Sequence, residues 1–148
     1  MPHPDFSALV DSLFPFAQSM LNKHGDFHPF GAVMAPDGAI QMIAAHTGDE
    51  FPPAQTLIDT MSELIKEKAA SDEIRAAAIC YDAFAMPPGE TVKTDAVAFN
   101  LEHRSGESIG AFFPYVKGEN GDCDFNREVF VVKRTVQFFS KSGDQQKP

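Results

Sequence analysis

Tryptophan is absent from this chain, tyrosine and cysteine each occur twice, and 12 basic residues face 21 acidic ones. Each shortage excludes something. The aromatic set is almost entirely 14 Phe, a side chain without a polar handle that suits a core better than a base-stacking or sugar-stacking surface. A net charge of −9 repels phosphate backbones and anionic headgroups, which argues against nucleic-acid and membrane partners. Cys80 and Cys123 have no metal-ligand spacing and imply no disulfide framework. Cys80 lies in the apolar run Ala76–Tyr81 and is expected to be a small buried hydrophobe, whereas Cys123 in its Gly/Asn/Asp stretch is expected at the surface. No apolar run approaches the ~20 residues of a spanning helix. Met1-Pro2-His3-Pro4-Asp5 has neither the basic start nor the apolar centre of a signal peptide, so the expected location is the cytoplasm. Gly38 and Gly48 stand alone rather than in a phosphate loop, and there is no Ser-centred elbow and no His-Glu-x-x-His. No cofactor is implied.

What is present suits one domain, with 148 residues, 43% of them hydrophobic. From Pro4 to about His24 the apolar residues are Phe6, Leu9, Val10, Leu13, Phe14, Phe16, Ala17, Met20 and Leu21, and spacings of three and four dominate, an amphipathic helix ended by Gly25. Pro15 is expected to kink or split it. Two β-compatible runs, Phe27 to Ala35 and Ile40 to His46, flank Pro36-Asp37-Gly38 and predict a hairpin. A second helix is expected from about Pro53 to Ala70, with Asp49 and Glu50 near its positive end. Then come strands from Arg75 to Ala85, Asp95 to His103, Ser108 to Val116 and Glu128 to Phe139, with a polar loop at Lys117 to Arg127. The expected fold is α+β: a mainly antiparallel five- to six-stranded sheet, in α-β-β-α-β-β-β-β order, with both helices packed on one face. Residues 1–139 form the expected domain, and the polar stretch 140–148 an expected disordered tail.

That order of elements is similar to profilin-like and roadblock-type domains, a likeness of element order that transfers no function. The stretch Phe27-His28-Pro29-Phe30-Gly31-Ala32-Val33-Met34, with Asp37-Gly38, Tyr81-Asp82 and Leu101-Glu102-His103, also resembles a pattern in small bacterial proteins of uncharacterised function. The resemblance spans roughly residues 5–117 and implies a shared fold without an activity.

Several side chains are candidates for chemistry. His24 and His28 are four apart, as two metal ligands on one helix turn would be, but Gly25 and Pro29 interrupt that helix and no third ligand is evident. His46, near Asp49 and Glu50, could be a carboxylate-oriented base, and a polar connection would look the same. Asp82, inside an apolar strand, must find donors; Arg75, Lys93 or Arg104 are the expected partners. His103 is in phase with Val97, Phe99 and Leu101, which places it on the core layer or at the sheet rim, while Glu102 and Arg104 are expected to be surface charge.

Two functions of different class follow. A non-enzymatic binding or assembly protein would act through a sheet face or edge, with a second copy as the first expected partner. Phe112, Phe113, Tyr115, Phe130, Phe138 and Phe139 exceed what one small core face absorbs and supply its interface. An acidic immunity-type protein that binds a basic toxin is a narrower form of this reading. The alternative is a small-molecule enzyme or ligand pocket between helix and sheet, which requires His46, Asp82 and His103 to converge on one cavity.

Overall fold

A computed structural model describes residues 3–44, 53–119, 122–125 and 127–139 of the chain. Helix α1 (Pro4–His24) is followed by β1 (Phe30–Met34), β2 (Ile40–Ile43), α2 (Ala54–Ala70), β3 (Ala76–Ala85), β4 (Thr94–His103), β5 (Ser108–Pro114), β6 (Val116–Lys117), β7 (Cys123–Asp124) and β8 (Phe130–Lys133). Six strands form one antiparallel sheet in the order β2-β1-β3-β4-β5-β8, and β6 and β7 form a separate small ribbon. The α+β class and element order agree with expectation. The ribbon, β6 and β7, was not anticipated; two-residue strands leave almost no pattern to read.

The turn between β1 and β2 is built as its sequence dictates. The Asp37 carboxylate accepts from the Ala39 N–H at 3.0 Å, and Gly38 takes a φ of +94° that other residues rarely adopt. In β1, a Cβ on Gly31 would lie 2.4 Å from the Ala78 carbonyl oxygen, so only glycine lets β1 and β3 approach this closely there.

The helices lie on opposite faces of the sheet, not on one. Phe6, Leu9, Leu13, Ala17 and Leu21 of α1 pack on Phe30, Ala32, Ala78, Cys80, Val97, Phe99 and Leu101. The intervening residues Val33, Ala77 and Ile79 face the other way, onto Met61 and Ile65 of α2 and onto Phe138. Strands β1 and β3 are therefore covered on both sides. This is why Ala76 to Cys80 forms a continuous buried apolar run rather than an alternating one. Each fully buried Leu or Ile side chain in these layers contributes roughly 1.5–3 kcal/mol.

Two local expectations also change. Helix α1 runs through Pro15 without a break: Pro15 sits on the solvent side, where the carbonyl that loses its N–H partner can face water, while the buried stripe holds both halves to the sheet. The last strand is short, only Phe130–Lys133, and 134–139 continue as an irregular strap across the α2 face.

Candidate functional site

Three places collect the polar or exposed groups singled out by the sequence. The first is the sheet rim at the end of β4. There the Asp5 carboxylate, at the start of α1, receives Arg75 Nε at 3.0 Å and a second guanidinium N–H at 3.1 Å. His103 Nε2 also lies 3.0 Å from Asp5 Oδ2, and the His103 ring stacks on His3 with centroids 3.7 Å apart. Because His103 Nδ1 accepts from the Ser105 N–H at 3.0 Å, its proton sits on Nε2 and is donated to Asp5. His3 Nδ1 accepts from the Asp5 N–H and caps the helix. Burial alone would raise the Asp5 pKa, but the Arg75 and His103 hydrogen bonds and the Arg75 charge outweigh it and leave a net downward shift. Burial and the neighbouring His3 lower that of His103 against the pull of Asp5.

His3, Asp5 and His103 bring their ligand atoms within 4.8 Å of one another, as a metal site would. Both Asp5 oxygens hold Arg75, however, and His3 Nδ1 and His103 Nδ1 each accept from a backbone N–H while His103 Nε2 donates to Asp5. A cation there would have to displace a guanidinium and reverse a tautomer. The cluster acts as a clasp between the N-terminus of α1, the entry to β3 and the end of β4.

Next to it, Glu102 is 2% exposed rather than at the surface. Its carboxylate accepts from the backbone N–H groups of Gln137 at 2.8 Å, of Phe138, and of Phe139 at 2.7 Å. Three consecutive amides on one buried carboxylate anchor the strap and seat Phe138 beneath it. Arg104 is exposed, as anticipated.

At the opposite end of β3, Asp82 accepts from the Tyr115 hydroxyl at 2.8 Å. None of the three expected cations hydrogen-bonds to it: Arg75 is held by Asp5 and the Pro36 carbonyl. Desolvation raises the Asp82 pKa, partly offset by Tyr115, and desolvation with the adjoining carboxylate pushes the Tyr115 hydroxyl far up. Asp82 pairs with Val97 and His103 with Ala76 in the β3–β4 ladder. Six positions separate them, about 20 Å along a strand, so the two do not converge. A cavity of about 430 Å³ does exist, lined by Pro87, Lys93, Thr94, Pro114, Arg127 and Phe130 among others, but neither Asp82 nor His103 reaches it. His46, with Asp49 and Glu50, lies outside the described residues. His24 and His28 are both exposed and belong to no ligand cluster among the described residues. Cys80 is buried, and burial raises its thiol pKa well above the ordinary value, which suits a packing role. Cys123 is half-buried against the α1 core rather than fully exposed.

The third place is the outer edge of the sheet at β8. Of the aromatics expected at an interface, Tyr115 is 1% exposed and Phe138 is buried, so the chain's own core absorbs both. Phe113 packs half-buried on Phe14 and Phe99, and Phe139 sits against the α2 layer. Phe112 and Phe130 stack at 4.8 Å on the α2 face. Around Phe130 the exposed residues are apolar: Val129 at 43%, Val131 at 47% and Val132 at 41%. Among the described residues no strand lies beyond β8. The Val-Phe-Val-Val run was legible in the sequence; its place at an edge was not.

No protein family, curated protein or solved structure matches this chain. Among the described residues no helix is long and apolar enough to cross a membrane.

Proposed function

We propose that this protein is a non-enzymatic assembly module that binds a second copy of itself through the β8 edge. The observation that carries this reading is two exposed valines, Val131 and Val132, on a strand whose outer backbone groups have no ladder partner among the described residues, with exposed Val129 just before it. Natural edge strands are ordinarily protected by charge, proline, bulges or a covering segment, and β8 itself ends in a single Lys133. The other edge, β2, leaves less apolar surface in solvent: Met42 is exposed beside Gln41, while Ile40 and Ile43 are half-buried. A second copy is the occupant that fits because the residues immediately flanking the apolar run carry opposite charges, Glu128 before it and Lys133 and Arg134 after it, with Arg127 one position further out. An antiparallel copy brings Glu128 of one strand beside the basic end of the other.

The chemistry argued above supports a binding role over a catalytic one. Asp82 and His103 are engaged in separate intramolecular bonds at opposite ends of the sheet. Amide hydrogen exchange at low and high protein concentration tests the proposal. The Val131 amide gains protection as concentration rises, while the Val132 amide, already turned inward to β5, changes little. Equal exchange at Val131 over the whole concentration range would refute edge pairing.

A further inference from the structure

We infer that the two copies pair in a single register, antiparallel about a two-fold axis through Val131, with Glu128 of each copy facing Arg134 of the other. This rests on the edge-pairing reading and specifies its geometry.

Backbone parity comes first. The Arg134 N–H donates to the Ser108 carbonyl at 3.0 Å, continuing the ladder in which Ile109 faces Lys133 and Ala111 faces Val131. In an antiparallel ladder, residues whose amide groups turn toward one neighbour alternate with residues that turn away. Arg134, Val132 and Phe130 therefore turn to β5, and Lys133 and Val131 turn outward. The His103 N–H to Glu107 carbonyl bond, 2.9 Å, fixes the same phase independently from β4. It sets Glu107, Ile109 and Ala111 toward β4, and so Ser108, Gly110 and Phe112 toward β8.

Symmetry comes second. Two antiparallel edge strands related by a two-fold axis have that axis perpendicular to the sheet, so facing residues share a sheet face. The axis must then pass beside a residue, and Val129, Phe130, Val131 and Val132 are the possible centres within the apolar run. An axis at Val129 sets Glu128 against the partner's Phe130 and Val131 against the partner's Arg127. An axis at Phe130 sets Arg127 against the partner's Lys133, two like charges. An axis at Val132 sets Phe130 against the partner's Arg134 and leaves Val129 opposite the partner's Thr135.

An axis at Val131 avoids all of these. Val131 faces its own copy with outward amides exchanging hydrogen bonds, and Val129 lies along the aliphatic stem of the partner's Lys133. Phe130, already stacked on Phe112, packs on the partner's Val132. Glu128 meets the partner's Arg134, twice by symmetry. Only this register buries the valines and pairs the charges together.

Charge reversal tests it by sedimentation or light scattering, with circular dichroism to confirm that each variant is folded. E128R and R134E each weaken self-association about tenfold. An equimolar mixture of the two forms a heterodimer, and the double variant E128R/R134E recovers wild-type affinity. Glu128 is exposed, so E128R and the milder E128Q retain the fold and suffice if R134E does not. Single variants that dimerise like wild type, while V131K is monomeric, would overturn the register and leave the edge-pairing reading standing. A wild-type chain that never dimerises would overturn that reading itself.

Discussion

The β4 rim and the β8 edge both end the sheet, and they treat their side chains in opposite ways. At the rim, Asp5, Arg75, Glu102 and His103 are all bonded inside the chain, and even the buried Glu102 carboxylate has three amide donors. At the edge, apolar side chains stay in solvent beside outward-facing backbone. A titratable residue attracts attention as a candidate for chemistry, but one whose hydrogen-bonding capacity is filled by its own fold has little left for a ligand. Exposed valines on an edge strand, by contrast, have an interaction still to make.

Removing the edge's unmet surface should have the largest effect. V131K places a charge at the dyad and is expected to abolish dimerisation, with a monomer in light scattering and little change in melting temperature. The contrast sharpens at Glu102. E102A leaves the three amides of Gln137, Phe138 and Phe139 without their acceptor, and each buried unsatisfied group costs about 1–3 kcal/mol. A loss of about 3 kcal/mol in urea unfolding, with faster amide exchange confined to the strap, is expected. Unchanged stability would mean the strap is held by Phe138 packing alone.

A smaller effect is expected at the other end of the sheet. Y115F removes the hydroxyl bonded to Asp82 and should cost about 1–2 kcal/mol, again by urea unfolding, with no effect on self-association. The smallest is the pH dependence of the rim. Asp5 and His103 both have lowered pKa values in the fold, so for both the unfolded chain binds more protons as pH falls. His103 loses stability as pH drops below about 6.5, and Asp5 loses more as it drops below about 4. H103Q should remove the upper part of this decline in melting temperature between pH 7 and 5. An unchanged profile would place that titration elsewhere.

The sequence carried the elements further than their arrangement. The stripe Phe6, Leu9, Leu13, Ala17 and Leu21 predicts α1 because periodicity is local, and Asp37-Gly38 predicts its turn for the same reason. Which face each helix covers is not local, but β3 held an unused signal: five successive buried residues are what a strand sandwiched on both faces requires. Glu102 was misread because alternation along β4 says only that it faces away from Phe99, and not that the strap returns to cover it. The Asp5–Arg75–His103 clasp joins residues 70 and 98 positions apart, which no spacing rule could bring together. Phe138 was counted as a surplus aromatic because the second core layer was not foreseen, and Tyr115 because nothing in its spacing shows that it turns into the α1 layer beside Phe125.

The most direct measurement is multi-angle light scattering on wild type and V131K across a wide concentration range. The account predicts a wild-type dimer whose population rises with concentration, and a V131K monomer of unchanged fold. A wild type that stays monomeric throughout, or a V131K variant that dimerises as well as wild type, would contradict it.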